Sequence, residues 1–155
     1  MKINYIVISL VTIAVAYFGG IITTSGLTWY YGLNLPSIAP AGSFIGSAWT
    51  IIYILTTISA LIVWNKLKKD KDFKLIIGLF ILNAFLNWFW TYLFFGLNFI
   101  YTALLEMVVL NIVNLYLILI LRKKNLTASV LLIPYFLWVC FATYLTYLIL
   151  TLNVN

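Results

Sequence analysis

Five long apolar stretches, separated by short breaks, account for almost the whole chain: roughly Ile3 to Thr23, Ser43 to Asn65, Phe73 to Phe95, Phe99 to Leu121 and Thr127 to Leu152. Each is near or above the ~20 residues that a helix needs to cross ~30 Å of hydrocarbon. The pattern predicts an all-α integral membrane protein, a bundle of five transmembrane helices forming one domain over residues 1–155. The connections are tight except the first, Thr24 to Gly42, which holds Trp29, Tyr30, Tyr31, Pro36 and Pro40. A structureless loop of that length is uncommon, so it is expected to pack over the bundle as a lid, with one helical turn around Leu27 to Asn34. An aromatic belt at the headgroup level would have the same composition.

Charge adds orientation. All nine basic residues fall on one side of the five-span reading: Lys2, then Lys66, Lys68, Lys69, Lys71 and Lys74, then Arg122, Lys123 and Lys124. The connections on the other side, Thr24 to Gly42 and Gly96 to Asn98, carry no charge. Loops rich in Lys and Arg stay cytoplasmic, which puts the N-terminus in the cytoplasm and the C-terminus outside it. Topology and anionic headgroups account for the net charge of +6 without nucleic acid. With 65% hydrophobic and 8% charged residues, too little polar surface exists to cover a soluble globule.

Composition also limits the chemistry. The chain has no His and a single cysteine, Cys140, which leaves no basis for a zinc site, a His-ligated haem or a disulfide framework. No metal and no cofactor is expected, and Cys140 reads as a small buried apolar residue. Lys2, the first apolar run and Ala14-Val15-Ala16 resemble a signal peptide, but the run continues through Tyr17, Phe18, Ile21 and Ile22, as a full span does. Asn125-Leu126-Thr127 matches a glycosylation sequon on the basic side, where that modification does not occur. Small residues recur at helical spacing at Ala16 and Gly20, Gly42 and Gly46, and Ser43 and Ser47. They permit close helix approach within the bundle or between protomers, and the spacing does not choose.

Polar groups inside the spans are few: Glu106, Asn83, Asn87, Asn111 and Asn114. An ionised side chain at bilayer depth costs roughly 2.5 to 3.5 kcal/mol on insertion scales, so Glu106 is expected to be neutral, hydrogen-bonded or beside a wet cavity. At 1.5 Å per residue, Trp49 lies ~9 Å inside the uncharged face, Glu106 ~10 Å, Asn87 ~12 Å and Ala142 ~15 Å. The four form a common layer. Asn83, Asn87, Trp90 and Phe94 share a face of the third span, Trp49 and Tyr53 one of the second, and Pro134, Trp138, Phe141, Ala142 and Leu145 one of the fifth. A cavity lined by such residues suits a flat, mostly apolar ligand such as a tetrapyrrole or sterol. Aromatic stripes at helical spacing are also what an ordinary packed core produces, and periodicity alone leaves both readings open.

Several segments carry more. Trp29-Tyr30-Tyr31-Gly32-Leu33-Asn34-Leu35-Pro36-Ser37, Leu86-Asn87-Trp88-Phe89-Trp90 followed by Phe94-Phe95-Gly96, Ala103-Leu104-Leu105-Glu106, and Pro134-Tyr135-Phe136-Leu137-Trp138 with Phe141-Ala142-Thr143 closely resemble the TspO/MBR family. This is the family of tryptophan-rich sensory proteins, translocator proteins and peripheral benzodiazepine receptors. The resemblance covers nearly the whole chain. It implies a five-helix bundle, usually a homodimer in the lipid bilayer, with an outer-half pocket closed by the first loop. It implies porphyrins and benzodiazepine-type or isoquinoline molecules as ligands, cholesterol in animal members, and light- and oxygen-dependent porphyrin breakdown in some bacterial ones.

Carried over by position, the ligand-binding residues are Tyr30, Pro40, Trp49, Tyr53, Asn87, Trp90, Phe94, Trp138, Ala142 and Leu145. Trp49 and Trp138 match the pair tied to porphyrin breakdown, and would be catalytic only if that reaction occurs. Ile38 stands where the family has Trp, Pro40-Ala41 replaces Pro-Pro, and Glu106 replaces the usual Asp. No basic residue follows Tyr147, which leaves the family's cholesterol motif incomplete and speaks against a sterol partner. The resemblance implies a membrane receptor or translocator for porphyrin-like molecules. The alternatives are a photo-oxidative porphyrin-degrading enzyme and a proton-linked transporter using Glu106 as its protonation site.

Overall fold

The structure, a computed structural model, describes residues 3–153 of the chain. It contains α1 (Ile3–Tyr31), α2 (Gly42–Lys66), α3 (Phe73–Thr91) with a π-helical turn (Tyr92–Gly96), α4 (Ile100–Arg122), α5 (Leu126–Val130) and α6 (Ile133–Asn153). Five units are long and apolar enough to cross a membrane, the fifth being α5 and α6 together. The five-helix membrane bundle is therefore present, with two of its boundaries changed.

The first change is in α1, which runs eight residues beyond Thr23. Thr24 donates its hydroxyl to the Gly20 carbonyl at 2.9 Å and Ser25 to that of Ile22 at 2.8 Å, so the polar residues that mimic a loop in one dimension are satisfied on the helix itself. Trp29 and Tyr30 thus belong to the last turns of α1, and the connection shrinks to residues 32–41. Gly32 and Leu33 close the helix end by donating to the Trp29 and Tyr30 carbonyls.

The second change is in the fifth span, which breaks at Leu131 and Leu132. Pro134 follows in the first turn of α6, where its missing N–H is not needed. Asn125, the sequon residue, caps α5: its side-chain oxygen accepts from the Ala128 N–H at 3.0 Å. Cys140 is exposed on the outside of the bundle, contrary to expectation, because Val139 takes the inward position and the next residue is turned about 100° away.

Two apolar clusters divide the bundle along its length. Toward the basic end, Val63, Ile76, Leu110, Leu117, Leu121, Leu132 and Val139 pack α2 through α6 into a solid core. Ser59 and Ser129 pin α5 there by donating to the Ala128 and Ile118 carbonyls at 2.7 and 2.8 Å. Toward the uncharged end, Tyr30, Leu93, Phe94, Ala103, Leu145 and Ile149 form a second cluster, covered by Leu33, Leu35 and Ala39 of the first connection. Here α1 approaches the π-helical turn so closely that a Cβ on Gly26 would lie 2.6 Å from the Phe95 carbonyl oxygen. Asn98, at φ 59°, reverses the chain into α4, a conformation that Asn tolerates better than most residues.

The charge partition has a direct structural counterpart. Lys124 bridges Asp70 at 2.7 Å and Asp72 at 2.8 Å, joining the α2–α3 and α4–α5 connections at one end. Asn4 donates to Asn65 at 3.3 Å, which brings the start of α1 to that same end; Lys2 lies outside the described residues.

Gly26→Val should lower thermal stability in detergent by roughly 1–3 kcal/mol, the usual cost of overpacking, because the backbone carbonyl of Phe95 cannot yield as a side-chain tip would. Gly20→Ala, where a Cβ meets nothing, should change it by less than about 0.5 kcal/mol. The ion pair adds a pH signature. The hydrogen bond from Lys124 holds the Asp70 carboxyl below its ordinary value of 3.8, and the bonds to Asp70 and then Asp72 hold the Lys124 ammonium above its own of 10.5. A lowered carboxyl stabilises the fold above its unfolded value and loses that effect as pH falls through the folded value; a raised ammonium does the reverse at high pH. The difference in melting temperature between the parent and Lys124→Met should therefore be constant near neutral pH and shrink below pH 3.8 and above pH 10.5.

Candidate functional site

Between the two clusters the bundle is hollow. A cavity of about 860 Å³ lies where α1 and α6 face each other, with α2 and the end of α3 as its other walls and the first connection above. Of the residues singled out in the sequence, Tyr30, Pro40, Trp49, Tyr53, Trp90, Phe94, Trp138, Ala142 and Leu145 all line it. They arrive from four helical spans and the first connection, the helical ones because each stripe is the inward face of its helix.

The aromatic wall is built edge against face. Trp49 stacks on Tyr53, one turn away, with ring centroids 5.6 Å apart and planes 28° apart. Trp138 meets Trp49 nearly at right angles, 83° with centroids 6.5 Å apart, so the two indoles that sit far apart in the chain are neighbours here. Across the cavity Trp90 stacks on Phe94 at 5.6 Å and 19°, and Trp29 packs edge-on against the same ring. Such rings offer broad planar surface with few polar contacts. Two donors stand out: the indole N–H groups of Trp90 and Trp138 are buried without a hydrogen-bond partner. Unsatisfied buried donors are costly in an apolar interior; neither nitrogen is open to the cavity, so an acceptor brought by a ligand would reach one only after its ring turns.

Asn87 departs from expectation. It is 4% exposed and sits one layer behind the wall, accepting from the Tyr53 hydroxyl at 2.9 Å and donating to the Tyr135 oxygen at 3.1 Å. Its amide holds two phenols in place; it does not line the cavity. Asn83, one turn further on the same face, donates to Asn114 of α4 at 2.8 Å and continues the polar seam into the bundle. Tyr135 is not among the residues carried over by position, and only its buried contact with Asn87 marks it.

Glu106 also stands apart from the cavity wall. It is 7% exposed, lies away from the cavity lining, and neither carboxyl oxygen has a hydrogen-bond partner. Its depth along the span is that of Trp49, but no residue of α4 lines the cavity, so Glu106 is buried within the bundle and not in the cavity wall. Pro134 likewise leaves its stripe: it is exposed at the start of α6 while Trp138, Phe141, Ala142 and Leu145 face the cavity.

Most members of the small-residue pairs border the cavity. Ala16, Gly20, Gly42, Ser43 and Gly46 all border the cavity, and a Cβ built on Gly20 or Gly46 would meet nothing within 4 Å. Among the described residues no group of three or more His, Cys, Asp or Glu side chains is placed to hold a metal ion.

Comparison with known proteins agrees with this architecture. The model of the TspO/MBR family matches residues 7–152. The chain is 32% identical to the tryptophan-rich protein TspO of Bacillus cereus, over 99% of both sequences, and 33% identical to that of Archaeoglobus fulgidus, over 93% of both. It is 29% identical to the human translocator protein, over 79% of this chain and 73% of the human one. With a match across nearly its full length and five membrane-spanning units in the expected order, the chain belongs to the TspO/MBR family.

Proposed function

We propose that this protein is a membrane receptor of the translocator type that binds porphyrins and similar flat, apolar molecules in the cavity at its uncharged end. The observation that carries the reading is the cavity itself. Its volume of about 860 Å³ is in the range of small-molecule pockets, and its walls combine the Trp49, Tyr53, Trp90 and Trp138 rings with two indole donors lacking acceptors. A planar macrocycle would lie against Trp49 and Trp138, and its peripheral oxygens would accept from an indole N–H once that ring turns. Asn87 supports this seat from behind by fixing the Tyr53 hydroxyl. Kinship with proteins named translocator protein supports the class of function.

In this reading the basic connections face the cytoplasm, with the N-terminus, and the cavity lies in the outer half of the bilayer. The working unit is a homodimer. Light- and oxygen-dependent breakdown of the bound porphyrin is a second reading, favoured by one observation: the perpendicular Trp49–Trp138 pair, whose electron-rich rings would both lie beside an excited macrocycle.

Trp49→Phe combined with Trp138→Phe is expected to weaken protoporphyrin IX binding at least tenfold, read by tryptophan quenching in the dark. Unchanged quenching and affinity would remove the cavity assignment. Under light and oxygen, a product spectrum that the double variant does not yield would favour breakdown; one identical to bleaching without protein would remove that reading.

Glu106→Gln separates binding from proton-linked transport. Since no partner in the structure depends on its charge, the variant is expected to fold and to bind porphyrin within about twofold of the parent. Loss of pH-dependent uptake in proteoliposomes with binding intact would assign Glu106 to transport, and unaltered uptake would remove it.

A further inference from the structure

The cavity wall formed by α1 and α2 differs from the others. Gly20 and Thr24 on α1, and Gly42, Ser43, Gly46 and Thr50 on α2, line the cavity and are at the same time exposed on the outside of the bundle. A residue with both properties marks an opening, and these six border one gap. Measured from the start of α2, Gly46 is ~6 Å and Thr50 ~12 Å along the helix axis, within the thickness of a hydrocarbon leaflet. The gap therefore faces lipid.

Three features make it a passage. The first is the rim, which is small: open space surrounds the Cα atoms of Gly20 and Gly46. The threonine hydroxyls of the rim, and that of Ser47 beside it, are also internally satisfied. Thr24 donates to Gly20, Ser47 to Ser43 and Thr50 to Gly46, all carbonyls of their own helix at 2.9–3.0 Å, so an apolar molecule crossing the rim displaces no essential water.

The second is the extent of the gap. Nearer the basic end α1 and α2 are stitched together, Thr57 donating to Thr12 at 2.8 Å and Asn4 to Asn65 at 3.3 Å. The third is the aqueous side, which is closed by a fastened cover. The backbone N–H of Asn34 donates to the Asn153 side chain at 2.9 Å, Asn153 donates back to the Asn34 carbonyl at 3.0 Å, and Tyr31 lies over Gly42.

We infer that the cavity is loaded from the bilayer: a membrane-dissolved, flat apolar ligand enters and leaves sideways between α1 and α2, with Gly20 and Gly46 as the gate. This rests on the proposed cavity binding but assigns the route and the ligand class, molecules that partition into lipid.

The test uses full-length protein in proteoliposomes, with stopped-flow protoporphyrin IX association and dissociation read by tryptophan quenching. Gly46→Leu combined with Gly20→Leu should slow both rates at least fivefold, because a portal acts on both directions. Asn153→Ala, which unfastens the cover, should leave both within twofold. Faster rates in Asn153→Ala with unchanged rates in the glycine variant would establish the aqueous route and overturn the portal. So would slower association offset by faster dissociation, which marks the glycines as part of the seat. Should the double variant not fold, Gly46→Val alone is read by the same criteria. No saturable binding in the parent protein would instead defeat the cavity assignment, a separate outcome.

Discussion

A chain in hydrocarbon must satisfy its polar groups from within, and most of this structure follows from that requirement. Ser and Thr hydroxyls on the spans return to carbonyls one turn back or reach a carbonyl on a neighbouring helix, as Thr24, Thr50 and Thr143 do to their own helices and Ser59 and Ser129 do to others. Asparagines pair across helices, Asn83 with Asn114 and Asn87 with two tyrosines. Each such bond fixes the rotation of one helix against the next, which apolar packing in lipid does weakly because the tails are as apolar as the side chains.

The distribution of these bonds explains why one half of the bundle is solid and the other hollow. Near the basic end, cross-helix bonds and the Lys124 bridge to Asp70 and Asp72 hold α2, α4 and α5 together over a core of Leu, Ile and Val. Toward the uncharged end α1 is held mainly by the close approach of Gly26 to Phe95 and by the covering connection tied to Asn153. Between these fixings no side-chain hydrogen bond among the described residues joins α1 to α6, and the cavity lies there. Among the described residues five break the rule of internal satisfaction: Trp90 and Trp138 border the cavity, whereas Thr56, Glu106 and Asn114 lie apart from it. That separation keeps the aromatic wall apart from the buried carboxyl.

Run length and charge placement, both one-dimensional properties, determined the five spans, the shared end of the basic connections and the membrane class. Stripes at helical spacing likewise brought out most of the cavity wall, since residues on one face of a helix stay together whatever that helix packs against. Tertiary structure alone decided the rest. Local hydrogen bonds carried α1 through Thr24 and Ser25, converting half of an apparent loop into helix. The placement of α4 away from the cavity separated Glu106 from lining residues at its own depth, and the partners of Asn87 drew it behind Tyr53. The small-residue pairs became the border of an opening because the sequence states how closely two helices can approach, and only the packing of the other helices states whether they do.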